Sequence, residues 1–496
     1  MELKIPRKHL LISILLLGFL LRVGLGFALP NILLADEIFQ TQEQAHRLAF
    51  GYGITPWEFR EGIRSWIFPT VLAIVMRLSD WVLPGSVDYL FAINVLLSAL
   101  SLTCIWLSFQ WAKRVSGVNA GFIAAIASCI WFELIFFAPK AFTEVVATHM
   151  LLPGFYLGLH NANYKGFPDE RRLFWAGVLL GLAFSLRFHF LPGILVCLVA
   201  IGKGDFRTRW LPLLIGFVGP VLIFGAVDAL TWDYPFQSIL KNFWINVVEE
   251  KSLEFGILPW YGYLKFLVRV WSWAIIPMAG LTLIGSLKSP QLALFSLVIL
   301  GSHSLLSHKE YRFIYPVIVC SLILASIGLA ELLERLKQHN TWVRRYPSTA
   351  LVIGLILCLA TSTVLATRFE TRDADRLGFP EILIYRPSQT HWTTDANMLI
   401  SLKILSQTDD ICGLGLWNAT WLYGGYTHLH QDITVVTDLK HNQTRFDARN
   451  AEFNYVIADN AIVDEAFIAR HENYRLQTCF GNTCILKRPG ECRKFK

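Results

Sequence analysis

The chain has 496 residues, 54% hydrophobic and 16% charged, where an average soluble domain carries about 25% charged residues; that excludes a protein soluble along its whole length. The formal charge of +7 is uneven: residues 1–367 hold 29 basic and 21 acidic side chains, residues 368–496 hold 15 and 16. Only the C-terminal piece has a soluble composition, and the positive excess reports membrane topology, with no basic patch interleaved with aromatics for nucleic acid.

The first apolar run, 10–29, follows Lys4, Arg7 and Lys8 as a signal peptide would. It is too long and lacks a small-residue cleavage site, so it reads as an uncleaved first membrane helix. Arg22 within it reads as snorkelling toward the interface. Further apolar stretches of helical length lie at about 87–112, 118–138, 142–160, 210–230, 267–287, 291–307, 313–333 and 347–367. Cytoplasmic loops should hold the Lys and Arg residues, and a cytosolic N-terminus satisfies this if two segments are read in particular ways. Segment 64–84, with Arg77, Asp80 and two prolines, becomes a helix at the outer interface. Segment 173–202, about 45 Å as one straight helix, becomes two short helices meeting at Arg187 to Pro192, a break tolerated where its apex lines a protein cavity. The expected fold is a polytopic all-α membrane domain over 1–367, about eleven helical segments including the broken pair, with its C-terminus outside.

The stretch RFETRDADRLGFP after Thr367 has the charge and Gly/Pro content of a boundary. Beyond it, short runs at 433–436 and 455–458 mix with a helical pattern at 396–405, which predicts a small external α/β domain over 368–496. Cys412, Cys479, Cys484 and Cys492 permit two disulfides there, with three pairings open. The other five cysteines lie in apolar runs as small buried hydrophobes.

Asp36 and Glu37 follow the first helix in LLADEIFQTQEQAHRLAFGYG. Adjacent carboxylates at the mouth of a membrane helix suit general-base work, because partial burial keeps a carboxylate basic and a like charge raises one of the pair further. The competing reading makes Asp36 the N-cap of a helix starting at Ile38. Glu43 and His46, three residues apart, read as a solvated helix face, or as facing the same groove. SHKEYRF at 307–313 is a sharper signal. His308, Lys309 and Arg312 stand where one membrane helix ends and the next begins, on the external side and against the positive-inside preference. The phosphate of a membrane-embedded substrate is their natural partner; snorkelling is the alternative. Glu310 reads as holding Lys309 or Arg312 in place. Lys140, Thr143 and Glu144 in APKAFTEV and Arg187 with His189 in LRFHFLP approach the same face, as functional candidates or as a structural salt bridge. Trp260 lies in FGILPWYGYLKF at 255–266, which fits an interface belt as well as a sugar platform. No metal-ligand cluster is visible.

These residues also carry a resemblance. DEIFQTQEQAHRLAFGYG at 36–53, PWEF at 56–59 and IRSWIFP at 63–69 together resemble the first luminal loop of the family 22 glycosyltransferases, the α-mannosyltransferases that build GPI anchors and the lipid-linked oligosaccharide for N-glycosylation. HKEYRF at 308–313 is similar to the family's hallmark, FGILPWYGY looks like its aromatic loop, and APKAFTEV adds a further match. One departure is Pro56, which intervenes between Thr55 and the Trp57–Glu58 pair where the family usually has Thr. The resemblance implies a GT-C fold, a polyprenyl-phosphate donor such as dolichyl-phosphate mannose, and an inverting reaction without a nucleotide sugar; the expected acceptor is a glycan or glycolipid, and a leaving phosphate held by cations calls for no metal or cofactor. It puts Asp36 on the family's acidic catalytic position. Glu43, Trp57, Glu58, Arg64, Lys140, Glu144, Arg187, His189, Trp260 and Glu310 become supporting or acceptor-binding candidates.

The first loop looks most like that of the GPI third-mannose enzymes. The implied setting is the ER membrane in a eukaryote or the cytoplasmic (inner) membrane in a bacterium, with the active site on the luminal or periplasmic side. There, Asn418 in NAT and Asn442 in NQT would be glycosylation sequons in a eukaryotic host. A lipid or solute transporter would also carry intramembrane charges and a broken helix, but it predicts pseudo-symmetric halves that the sequence lacks. A related GT-C transferase for another sugar or acceptor shares the mechanism.

Overall fold

The computed structural model describes residues 7–160, 169–204, 206–371, 389–417, 424–437, 439, 443–460, 463 and 473–493. The chain forms two compact units. One comprises Met1–Gly26, Glu61–Phe68 and Asn94–Thr390; the other comprises Phe27–Arg60, Pro69–Ile93 and His391–Lys496.

The first unit is helical. Among the described residues, Lys8–Ala28, Tyr89–Ile130, Phe206–Thr231, Gly262–Lys288, Tyr311–His339 and Pro347–Ala366 are long and apolar enough to cross a membrane, as expected of a multi-pass protein. The 42-residue run Tyr89–Ile130 is two helices joined at Ser116 and Gly117, where Gly117 has φ 88°, a conformation that costs glycine little. The stretch 118–138 is not one helix, because the chain turns extended at Trp131 before a short helix, Phe132–Phe137. The broken pair is present: Glu170–Leu186 stops at Arg187, a single turn spans Phe188–Phe190, and Leu191–Ile201 begins with Pro192 in its first turn, where a missing N–H costs nothing. In helix Tyr315–His339 every residue from Tyr315 to Gly328 is buried. Gly328 lies against the backbone of Leu281 and Gly285 against that of Leu324, so two helices meet where no Cβ fits.

Arg22 corrects the expectation of snorkelling. It is fully buried and donates to the carbonyls of Gly18 at 3.0 Å, Ser128 at 2.9 Å and Cys129 at 3.2 Å. Ser128 and Cys129 lie in the last turn before Trp131, where helix carbonyls lack intrahelical partners, so the guanidinium caps a neighbouring helix.

The second unit contains a five-stranded sheet. Its strands are β1 Gly413–Trp417, β2 Thr434–Val436, β3 Tyr455–Asp459, β4 Arg475–Phe480 and β5 Thr483–Lys487, in the order β2-β1-β3-β5-β4. β1 pairs in parallel with β2 and β3, whereas β5 is antiparallel to β3 and β4. All five residues of β1 are buried, as a central parallel strand requires. Helix Ala396–Leu405 packs Leu402 and Leu405 on Leu414, Leu416 and Ile457. This is the small α/β domain anticipated from the pattern of short runs. Of the three possible pairings, the disulfides are Cys412–Cys492 and Cys479–Cys484. Asn418 and Asn442 lie outside the described residues.

Candidate active site

In the first unit, SHKEYRF turns between helix Pro290–Ser304 and helix Tyr315–His339, with one tight turn at Tyr311–Ile314. It builds a buried ion network. Arg312 donates from Nε to Glu310 Oε2 at 2.6 Å, and its Nη1 lies 3.3 Å from Glu144 Oε1. Arg187 Nη2 lies 3.1 Å from the same Glu144 oxygen. Both guanidiniums also cover the ring of Phe313, at 4.8 Å for Arg187 and 5.2 Å for Arg312. Glu144 stands in the first turn of helix Thr143–Leu159, where the helix dipole favours a carboxylate. The expected approach of APKAFTEV and LRFHFLP to one face is therefore an ion pair, with Arg312 as a third member.

His308 faces two acceptors, Glu310 Oε1 at 3.0 Å and the Gly256 carbonyl at 3.2 Å, an arrangement that suits the doubly protonated ring. Burial opposes its charge, but the hydrogen bond and charge of Glu310 prevail and raise its pKa. Glu310 is held below the usual carboxylate range: burial works against ionisation, and Arg312 and His308 outweigh it. Glu310 thus holds Arg312 as expected, but its other partner is His308. Lys309 is buried, and its ammonium donates to the carbonyls of Leu258, at 3.1 Å, and Leu306. That anchors the aromatic loop, in which Trp260 is 69% and Tyr261 44% exposed while Tyr263 is buried. Two carboxylates, Glu144 and Glu310, thus stand beside four cationic groups: buried Arg187, Arg312 and Lys309, and half-buried His308. Excess buried positive charge of this kind suits a phosphate.

Lys140 is buried with its ammonium 5.2 Å from the Phe136 ring centroid. His189 is half-buried against Phe188, ring centroids 4.0 Å apart. Arg64 offers its carbonyl to Trp232 Nε1 at 3.1 Å. Among the described residues, the buried Nε atoms of Arg64 and Arg187, Nδ1 of His189 and the Tyr263 hydroxyl have no hydrogen-bond partner, an uncommon state for buried polar atoms. Sequence reasoning missed Glu133. It is fully buried and accepts from Trp131 Nε1 at 2.6 Å, Trp271 Nε1 at 2.8 Å and the Tyr311 hydroxyl of the motif. A lone carboxylate inside WFELIFF was the available signal.

In the second unit, the chain becomes helical at Ala35–Glu37, with extended Leu34 as N-cap, φ −147° and ψ 153°. Asp36 therefore sits inside the first turn and is not the cap of a helix starting at Ile38. Asp36 is half-buried. Glu37 is buried and accepts the Leu33 N–H at 3.3 Å, so of the pair Asp36 is the more accessible. Trp57 and Glu58 begin a short helix, Trp57–Arg60; Trp57 is half-buried, and Glu58 is buried and accepts from Gln40 Nε2 at 2.9 Å. Glu43 and His46 correct the expectation of a solvated face, since both are fully buried. Glu43 accepts from the N–H of Ile54 at 2.8 Å, Tyr426 at 3.2 Å and Thr427 at 3.0 Å, and from the Thr427 hydroxyl at 2.7 Å. His46 meets the Tyr52 carbonyl and His430 Nδ1, each at 3.1 Å.

Residues 14–374 match the model of the Alg9-like mannosyltransferase family. The mannosyltransferase APTG1 of Arabidopsis thaliana is 25% identical over 330 residues, covering 62% of this chain and 58% of the relative. The GPI alpha-1,2-mannosyltransferase 3 of Homo sapiens is 24% identical over 372 residues, covering 71% and 62%. The chain thus spans about three fifths of the length of these relatives. Among solved structures, ArnT from Cupriavidus metallidurans bound to undecaprenyl phosphate superposes with a TM-score of 0.56 at 10% identity, covering 97% of both chains. Its apo state gives 0.52 at 12%. That likeness is one of fold, and it bears out the GT-C expectation.

Proposed function

The chain belongs to the Alg9-like mannosyltransferase family, and from that premise we propose that it transfers mannose from a polyprenyl phosphate, such as dolichyl phosphate, to a hydroxyl of a glycan or glycolipid. The observation that carries the donor class is the excess of cations at this turn: buried Arg187, Arg312 and Lys309 and half-buried His308, against the carboxylates Glu144 and Glu310. Asp36 accepts the proton of the acceptor hydroxyl. The oxygen attacks the anomeric carbon in line as the bond from that carbon to the phosphate oxygen breaks, which inverts the centre. The polyprenyl phosphate leaves with the bonding pair, and His308, Lys309 and Arg312 neutralise it. A leaving phosphate held by cations needs neither a separate general acid nor a metal ion. Trp260 and the exposed aromatic loop offer a platform for sugar or lipid. The reaction belongs on the luminal or periplasmic side of the membrane, where lipid-linked sugars are extended.

The test supplies purified protein with labelled polyprenyl-phosphate sugars and a panel of lipid-linked acceptors. Mannose transfer is expected, and Asp36→Asn should lower turnover by about 10²-fold to 10⁴-fold with donor binding retained. Full activity of Asp36→Asn beside an inactive Glu37→Gln would exchange their roles. Translocation of the lipid with no sugar transfer from any donor would reject the proposal in favour of a transporter.

A further inference from the structure

We propose that the segment around Gly424–His430 is a template that sets the conformation of the loop bearing Asp36, with Glu43 as the positioning residue that joins the two. The inference rests on the reading of Asp36 as the base. It gives the C-terminal α/β domain a part in catalysis that the membrane motifs do not disclose.

A buried carboxylate without partners is strongly disfavoured. Glu43 is fully buried, and three of its four donors come from Tyr426 and Thr427. Charged hydrogen bonds to fixed backbone N–H groups are directional, so they set where helix Glu43–Phe50 begins. The fit is close from the other side also. Gly424 has φ 100° and Gly425 φ 58°, and a Cβ on Gly425 would fall on the Glu43 carboxylate. Burial raises the pKa of the Glu43 carboxyl, and the donors from Ile54, Thr427 and Tyr426 oppose the shift.

Further contacts brace the loop and the segment it rests on. Ile32, Ile38 and Phe39, which flank Asp36 in sequence, form one apolar cluster with Leu399. The Ile32 N–H donates to the Thr394 carbonyl at 3.1 Å. His46 meets His430, and the Tyr89 hydroxyl donates to the Thr427 carbonyl at 2.6 Å. Asp36 and Glu43 belong to one continuous helical run, Ala35–Glu37, Ile38–Gln42 and Glu43–Phe50. A displacement at Glu43 therefore moves Asp36.

The experiment uses the purified full-length chain and measures kcat, both Michaelis constants and thermal unfolding for Glu43→Gln, Glu43→Asp, Thr427→Val and Asp36→Asn. Misplacing a catalytic group by about 1 Å costs on the order of 10²-fold. Glu43→Gln should therefore lose about ten- to a hundred-fold in kcat, with the donor Michaelis constant within about three-fold of wild type. Glu43→Asp should be intermediate. Thr427→Val removes only one hydroxyl donor and should lose a few-fold in kcat with only a small fall in the unfolding midpoint, which keeps the test decisive if Glu43→Gln fails to fold. A merely structural role would lower the midpoint and leave kcat per folded molecule intact, and that outcome overturns the inference. Wild-type kcat in the Glu43 and Thr427 variants beside an inactive Asp36→Asn rejects this inference alone. Full activity of Asp36→Asn rejects the base assignment beneath it.

Discussion

Glu144 and Glu43 are both fully buried carboxylates, one in each compact unit, and they are compensated in different ways. Glu144 is neutralised by charge, through Arg187 and Arg312, whereas Glu43 is held by three backbone N–H groups and a hydroxyl. A charge-compensated carboxylate belongs to a network whose cations can turn to another anion. One satisfied by neutral, rigid donors is a joint. The first chemistry suits binding and release; the second suits fixing geometry.

The largest effect that would sharpen this contrast comes from Glu144→Gln. Removing one partner of a buried ion network costs about 3–5 kcal/mol, because it leaves the opposite charge uncompensated. The loss in thermal unfolding should be relieved by added inorganic phosphate, which can take the place of the missing charge. The same addition should leave Glu43→Gln unaffected, and equal rescue of both variants would erase the distinction.

The two histidines separate the units by pH. Burial lowers His46 to about 4 from its ordinary 6.5. Below 6.5 the unfolded chain takes up a proton that the folded one refuses, so stability from neutral His46 is present above that pH. It is lost as pH falls toward 4, by roughly 3 kcal/mol at one pKa unit per 1.36 kcal/mol. His308 runs the other way: raised by Glu310 against burial, it contributes stability below its ordinary pKa that disappears as pH rises through the raised value. Unfolding followed from pH 7.5 to 4.5 should show a destabilisation that His46→Gln lessens by roughly 3 kcal/mol at the acid end. An unaltered pH profile in that variant would break the assignment.

The smallest expected effect concerns Arg312. A hydrogen bond to a charged group contributes about 1.5–3 kcal/mol, so Arg312→Ala should weaken donor use by roughly ten-fold to more than a hundred-fold in a donor titration at saturating acceptor. Arg312→Lys should be defective too, because an ammonium does not reproduce the guanidinium fork. A raised acceptor constant with donor kinetics unchanged would move Arg312 to the acceptor side.

How much of this was legible in the sequence depended on distance along the chain. His308, Glu310 and Arg312 stand within five residues, and charges in an apolar context announce themselves, so their grouping was readable. The break at Arg187 to Pro192 was readable from the proline and from a run too long for one crossing. Arg22 misled because position along a helix says nothing about what lies across it; its partners, the Ser128 and Cys129 carbonyls, belong to backbone that any sequence would supply. Glu43 looked like one more charge on an amphipathic helix. Three of its four donors lie more than 380 residues away, and two of those are backbone amides, which leave no trace in residue identity.

That separation bears on biosynthesis. Glu43 and Thr427 are 384 residues apart, and ribosomes add about 5–20 residues per second. The Asp36 loop therefore waits roughly 20 to 80 seconds after its own synthesis before the groups that complete it exist. Throughout that interval a carboxylate, His46 and the apolar Ile38 and Phe39 stand without their final neighbours. A ribosome stalled before residue 424 would leave a chain whose membrane helices are largely made and whose Asp36 loop still lacks three of the four donors to Glu43.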